Sequence, residues 1–291
     1  MAEQLLTIRD LNVSYGNHQV VRHVDVSVEA GKVHALIGES GSGKSTIAAA
    51  AMGLLPDHAQ VWAKSSDLLG HGIIDVPEKE WRLLRGKTVA MVFQEPLSAL
   101  NPTMTIGAHI ALALNNHHVV PKREVRAEVL RLLNQVHLPD PDRRMKQYPH
   151  QLSGGQLQRV VIAMAMAARP RVLIADEPTT ALDVTVQAQI LRLFRELADN
   201  TGVGILFISH DLGVVAQLAD RITVLYRGVA VQEGATQAVL HGVQHPYTKA
   251  LLLANPRSAP PLQPLPTIDL EHGGYSGVRI STTAFVTEKE A

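Results

Sequence analysis

Hydrophobic and polar positions change rhythm several times along the chain. Residues 5–13 and 20–28 predict strands. In the second, Val20, Val24, Val26 and Val28 largely alternate with polar residues, the pattern of a half-buried strand. Ser14-Tyr15-Gly16-Asn17 between them predicts a turn carrying one aromatic. Residues 32–37 are largely apolar and predict a short buried strand, and residues 47–52 predict a helix. Residues 56–81 are mixed, because Pro56-Asp57, Ser65-Ser66 and Gly70-His71-Gly72 interrupt any long pattern; short antiparallel strands and loops are expected there. Residues 88–94 predict another buried strand, ending on the polar Gln94, after which Glu95-Pro96 and Asn101-Pro102 enforce a loop.

From residue 105 to 150 the texture is helical, punctuated by Pro121, Pro139, Pro141 and Pro149, and predicts a helical insertion. Residues 153–168 predict a helix with a glycine-bearing start, residues 171–176 a buried strand and residues 185–198 an amphipathic helix whose apolar stripe packs on a core. Residues 204–209 predict one more buried strand and 211–218 a helix. Strands at 222–226 and 229–232 and helices at 236–241 and 246–254 follow. Apolar strands separated by helices indicate a parallel α/β sheet, whose ligands sit at the carboxyl ends of the strands. Gly38, Gln94, Asp176 and His210 all fall at such ends. From Asn255 on, Pro256, Pro260, Pro261, Pro264 and Pro266 mark a linker, and residues 270–291 predict a partly ordered tail. The expected division is residues 1–254 as one domain, with a helical subdomain inserted at about 95–168, and 255–291 as linker and tail.

Composition narrows the classes. The 291 residues are 46% hydrophobic, enough for a sizeable core. Lys+Arg and Asp+Glu are 27 each, a net charge of zero that argues against a nucleic-acid partner. There is no cysteine, which excludes disulfides and thiolate-held zinc or iron–sulfur clusters. Residues 1–6 show no basic stretch leading into an apolar core, so no secretory signal is expected. The longest apolar run, 160–168, is far short of the roughly 20 residues that span a bilayer. Any service to a membrane would therefore come from docking onto another subunit.

Against this background one stretch stands out. Gly38-Glu39-Ser40-Gly41-Ser42-Gly43-Lys44-Ser45-Thr46 fits G-x-x-x-x-G-K-[ST], the P-loop, and sits between a predicted strand and a predicted helix as that motif requires. Its glycines let backbone N–H groups close around phosphate oxygens, and the helix start adds partial positive charge. Lys44 can reach the β- and γ-phosphates of a nucleotide, and Ser45 can ligate Mg²⁺. Residues 172–175 are apolar and lead into Asp176-Glu177: the first carboxylate suits a Mg²⁺ site and the second can polarise a water for in-line attack. Leu152-Ser153-Gly154-Gly155-Gln156, between the glycine loop and Asp176, opens a helix; taken alone it is a serine cap followed by glycines for a tight turn.

In this order, the three motifs resemble the ATP-binding cassette (ABC) ATPases, over residues 5–254. The resemblance implies a P-loop NTPase α/β core with an antiparallel β subdomain and a helical signature subdomain, and an enzyme that hydrolyses ATP with Mg²⁺. It implies that Tyr15 stacks on adenine and that residues 38–46 hold the phosphates. It implies that Ser45, Gln94 and Asp176 hold Mg²⁺, and that Glu177 is the general base with Gln94 and His210 beside it. Ser153, Gly155 and Gln156 would cap the γ-phosphate of ATP held by an opposite subunit, and Ala181-Leu182-Asp183 would couple the two sites. ATP then joins two subunits and hydrolysis releases them.

Gln94-Glu95-Pro96-Leu97-Ser98-Ala99-Leu100-Asn101-Pro102 and His245-Pro246-Tyr247-Thr248 with Leu251-Leu252 are similar to the oligopeptide/dipeptide/nickel importer ATPases. Many of those continue into a cysteine-bearing segment that holds an iron–sulfur cluster; this chain lacks the cysteines. That resemblance implies an importer subunit for peptides or a related small solute, nickel or a metal chelate included. It would lie on the cytoplasmic face of the inner membrane. Its partners would be two transmembrane permease subunits, a second ATPase chain (itself or a sister) and an extracytoplasmic solute-binding protein. The alternative is an ABC ATPase outside transport, an accessory subunit of a soluble complex such as a phosphonate-degrading lyase. Weaker signals point to structure: the fourteen histidines, His117-His118 included, are expected on the surface, and Arg82, Arg85 and Lys87 as a solvated basic face.

Overall fold

The computed structural model describes residues 3–242 and 245–253 and three two-residue strands, Ile268–Asp269, Gly274–Tyr275 and Val278–Arg279. The proline-bearing stretch from Asn255 and the rest of the expected tail lie outside the described residues. The ten strands that matter for the site are β1 (Gln4–Tyr15), β2 (His18–Glu29), β3 (Val33–Ile37), β4 (Ala59–Trp62), β5 (Ser65–Leu68), β6 (Val89–Val92), β7 (Val172–Asp176), β8 (Gly204–Ser209), β9 (Arg221–Tyr226) and β10 (Val229–Ala235). The helices are α1 (Lys44–Ala51), α2 (Glu78–Leu84), α3 (Ile106–Asn116), α4 (Val125–Gln135), α5 (Pro141–Arg144), α6 (Gly154–Met166), α7 (Val184–Thr201), α8 (Leu212–Leu218), α9 (Thr236–His241) and α10 (Pro246–Leu253).

β3, β6, β7, β8 and β9 run parallel in a six-stranded sheet of order β10-β9-β3-β8-β7-β6, with β10 antiparallel at one edge. Their apolar runs carry no alternation because both faces are covered, yet the two-residue period still sorts the side chains. Val33, Ala35 and Ile37, Leu173 and Ala175, and Ile205 and Phe207 enter a core shared with α3, α4, α6 and α7. Leu36, Val172, Ile174, Leu206 and Ile208 point the other way, into a core shared with α1 and the antiparallel sheet. That second sheet pairs β1 with β2 on one side and with β4 and β5 on the other. The chain thus adopts the expected α/β core with an antiparallel sheet and a helical region.

The helical region obeys the 3.6-residue period. Ile106, Ile110 and Leu114 of α3 are buried against Val129, Leu132 and Leu133 of α4 and the apolar face of α6. α6 reaches from these helices to β6.

Several sequence expectations need correction. β6 stops at Val92, so Phe93 and Gln94 are exposed rather than part of a buried strand. Residues 78–84 form a helix, α2, that burial of Trp81 and Leu84 stabilises. Arg85 is not part of a solvated basic face. Its Nε donates to the Met52 carbonyl at 3.0 Å and an Nη to the Gly53 carbonyl at 2.7 Å, closing the end of α1. A second Nη pairs with Glu78 at 2.8 Å, and the guanidinium lies 5.2 Å from the Trp81 ring centre. Arg82 and Lys87 do remain exposed. Two histidines are core residues. His34 Nε2 lies 2.8 Å from Thr223 Oγ1 and its Nδ1 2.5 Å from the Ser27 carbonyl, and burial lowers its pKa; it stays neutral and ties β2, β3 and β9 together. His109 Nε2 accepts from Asn101 N at 2.8 Å, fixing the loop after β6.

Candidate active site

The glycine loop leaves the carboxyl end of β3 and can do so only because it carries glycine. A Cβ on Gly38 would lie 2.3 Å from the Leu225 carbonyl oxygen. Gly43 has φ +100°, and a Cβ there would press on Val20 O at 3.2 Å. Gly43 is also the residue before α1 and has no side chain to cap it, so the first N–H groups of the helix are left for an outside acceptor. Lys44 opens α1 and is 4% exposed. Its Nζ donates to the carbonyls of Gly38 and Glu39, each at 2.9 Å. Burial lowers the Lys44 pKa, and the carboxylates of Glu177, Asp176 and Glu39 act against that fall.

β7 delivers the carboxylates. Ser45 Oγ donates to Asp176 Oδ1 at 3.2 Å. Burial pushes the Asp176 carboxyl up, Ser45 lowers it, and nearby Glu177 raises it further. Glu177 sits at φ +46°, an uncommon conformation for a non-glycine residue, held by its N–H to the Ile208 carbonyl at 3.1 Å. That bend places Glu177 Oε1 4.0 Å from Lys44 Nζ. Glu177 Oε2 accepts from Thr180 Oγ1 at 3.1 Å and lies 3.1 Å from His210 Nδ1. His210 arrives from the end of β8, the strand between β3 and β7.

Lys44, Ser45, Glu177 and His210 border one cavity of about 870 Å³, lined by residues 39–41 and 43–46 with Gln94, Glu177, Thr180 and His210; Gly38, Ser42 and Asp176 are not among its lining residues. The cavity joins a basic side chain, a run of backbone amides and the Glu177 carboxylate, the equipment for holding a phosphate ester and activating a water. The oxygen donors Ser45 and Asp176, with the Gln94 amide at the rim, suit a hard cation such as Mg²⁺. Among the described residues no cluster of three or more His, Asp or Glu could hold a metal alone, so such an ion would draw its other ligands from phosphate and water.

Other sequence-chosen residues stand outside the cavity. Ser153 is exposed and caps α6: its Oγ accepts from Gln156 N at 3.4 Å, while Gln156 Oε1 accepts from Ser153 N at 3.1 Å. Gly155 lets α6 approach α7, since a Cβ there would lie 2.4 Å from Val186 Cγ1. Asp183 caps α7 through Val186 N at 2.9 Å, so the two helix starts lie side by side. Tyr15 ends β1, its ring 5.8 Å from that of His58.

Sequence reasoning missed three lining residues, Thr180, Val20 and Leu251. Thr180 has a local signal: a threonine three places after a carboxylate, in a turn closed by Thr180 N to the Glu177 carbonyl at 3.2 Å. Val20 and Leu251 have none, because strand and helix bring them there from afar.

A family model described as ABC transporter matches residues 21–180. The chain is similar to the dipeptide transport ATP-binding protein DppD of Bacillus subtilis, 46% identical over 265 residues, 88% of this chain and 78% of that protein. It is 44% identical over 266 residues to the glutathione import ATP-binding protein GsiA of Escherichia coli, covering 88% of this chain and 43% of that one. The peptidoglycan transport ATP-binding protein YejF of Agrobacterium fabrum is 47% identical over 266 residues, 89% of this chain and 48% of YejF. The chain therefore spans less than half the length of GsiA and of YejF. Among solved structures it resembles cbiO1 from Clostridium perfringens, part of the ABC transporter complex cbiONQ, with TM-score 0.71, 26% identity and 82% and 91% of the two chains covered. The dimeric cassette MJ0796 bound to ADP and Pi gives TM-score 0.67, 26% identity and coverage of 79% and 98%.

Proposed function

The chain belongs to the ABC transporter family, and we propose that it is the ATP-hydrolysing subunit of an importer for peptides or a related small solute. The observation that carries the reading is the convergence of Lys44, Ser45, Glu177 and His210 around one cavity at the carboxyl ends of β3, β7 and β8, with Asp176 bonded to Ser45. The relatives' names supply the solute class: dipeptide, glutathione and peptidoglycan transport.

In this reading the amides of residues 38–46 hold the phosphates of ATP, and Lys44 Nζ exchanges the Gly38 and Glu39 carbonyls for phosphate oxygens. Tyr15 supports the adenine. Ser45 and Asp176, with Gln94, would hold Mg²⁺, which neutralises charge on the β- and γ-phosphates. Glu177 accepts a proton from the attacking water; the water oxygen bonds to the γ-phosphorus as the bond to ADP breaks. Thr180 and His210 fix Glu177 Oε2, and His210 also faces the γ-phosphate.

The cavity is open to solvent, and a second chain completes it. Ser153, Gly155 and Gln156 of one chain cap the ATP of the other, and Asp183 couples the pair. Two permease subunits bind near Gln94, where Phe93 (44%) and Leu97 (58%) expose apolar surface. An extracytoplasmic solute-binding protein delivers the cargo. Among the described residues no helix is long and apolar enough to cross a membrane, so attachment to the cytoplasmic face runs through the permease. Affinity capture of the full-length chain from solubilised membranes is expected to bring down polytopic subunits. A complex made only of soluble proteins would overturn the importer reading and favour an accessory ATPase.

A further inference from the structure

The His245-Pro246-Tyr247-Thr248 stretch, distant in sequence from the glycine loop, lies directly beneath it. Tyr247, in the first turn of α10, is fully buried, its ring centre 4.4 Å from that of Tyr226 at the end of β9. Its hydroxyl oxygen accepts a hydrogen bond from the Glu39 N–H at 3.1 Å. One helical turn on, Leu251 lines the cavity itself. Gly38 runs close against the Leu225 carbonyl of β9, with no room for a Cβ. The Gly38–Glu39 peptide is thus clamped between β9 and α10. Glu39 is tied three times: its N–H donates to Tyr247, and its carbonyl accepts from Lys44 Nζ and from the Ser42 N–H at 3.2 Å.

We infer that Tyr247 is a positioning residue for the phosphate loop, its hydroxyl holding the first peptide of the loop in register when Lys44 turns to ATP. The physical case is the fate of these ties. A nucleotide draws Lys44 Nζ away from the Gly38 and Glu39 carbonyls; the Ser42 N–H still holds the Glu39 carbonyl, and Tyr247 is what holds its N–H side, where the loop leaves β3. Without it the Gly38–Glu39 peptide loses its N–H anchor, and ATP binding must itself order that peptide. Burial pushes the Tyr247 phenol far above its ordinary range, so the hydroxyl stays neutral and the tie is insensitive to physiological pH. Glu177, Thr180 and His210 hang on other strands, so the chemical step is untouched.

The inference rests on residues 38–46 being the phosphate cradle, and the test separates the two. In the full-length chain, Tyr247→Phe keeps the ring against Tyr226 and deletes only the acceptor. It is expected to raise the KM for ATP about tenfold with kcat unchanged, the scale of one hydrogen bond to a group otherwise left unpaired. It should also speed amide exchange at Glu39. Thr248→Val alters the adjacent, equally buried side chain, whose Oγ1 bonds nothing among the described residues, and should leave KM unchanged. An unchanged KM in Tyr247→Phe, or an equal rise in Thr248→Val, overturns the inference in favour of plain packing. Lys44→Ala reports on the cradle: if ATP binding survives it, the cradle reading fails; if binding is lost there yet intact in Tyr247→Phe, only the role of Tyr247 falls.

Discussion

Two glycine-bearing helix starts, those of α1 and α6, look alike in sequence and differ in what they offer. At α1 the residue before the helix is Gly43, in a left-handed conformation with no side chain, and the amides that follow face a cavity lined by Lys44 and Glu177. At α6 it is Ser153, in extended conformation, whose hydroxyl and the Gln156 amide satisfy each other's backbone partners on an exposed surface with no charge built around it. The first is a concave, charged half-site left open for a ligand. The second is a satisfied cap, which in the proposed reading meets an anion only when a partner chain is pressed against it. Under the proposed function the two would meet across a dimer, each open start covered by its partner's capped one.

The variant that strains this contrast most is Ser153→Arg. Hydrolysis is expected to fall to background while ATP binding by the isolated chain is kept, measured by phosphate release and calorimetry. The lost cap should lower stability by about 1 kcal/mol. Loss of binding in the isolated chain would mean that both helix starts serve one nucleotide. Glu177→Gln is next: with the base gone but the carbonyl oxygen still able to accept from Thr180, hydrolysis should drop at least ~100-fold. An ATP-bound dimer should then persist on size-exclusion chromatography. Wild-type turnover would remove Glu177 from the base role.

The smallest effect concerns stability. The Asp176 carboxyl is pushed up by burial, with Glu177 adding to the shift. A folded-state pKa above the unfolded one gives stability that is present in full below the unfolded value, about 3.9 for aspartate, and is lost as pH rises through the folded value. Asp176→Asn cannot ionise, so its nucleotide-free Tm should exceed the wild type's at pH 7, and the gap should close toward pH 3. An equal Tm at pH 7 would show that the α1 site stores no such cost. No comparable gain is expected at the α6 start, where the capping residues Ser153 and Gln156 carry no charge.

Much of the core was legible because burial on both faces leaves a local mark. The apolar runs of β3, β7 and β8 announce themselves without reference to any neighbour. Arg85 could not be read this way. Its neighbours in sequence, Arg82 and Lys87, are solvated, and only the meeting of α2 with the end of α1 gives it two carbonyls to bind. α2 itself is short and rests on Trp81, whose value depends on the Gly53 surface opposite it. His34 was hidden for the same reason: a histidine in a strand declares nothing about the Thr223 hydroxyl waiting on β9. In the site, the residue types and their order were legible, since phosphate chemistry demands them at fixed local spacing. That Lys44 rests on the Gly38 and Glu39 carbonyls, that Thr180 joins Glu177, and that α10 supports the loop were not.

The sequence by itself determined most of the strands and helices, α2 and the end of β6 excepted, the α/β class, and which residues are candidates for phosphate binding and water activation, because periodicity and motif spacing act over a few residues. Only the tertiary structure decided which of those residues meet. The sheet order β9-β3-β8-β7 sets side by side strands that are far apart in the chain. It thereby brings Lys44, Glu177 and His210 to one cavity and leaves Ser153 on another face. Contacts of that kind depend on how separate elements stack, and no local pattern carries that information.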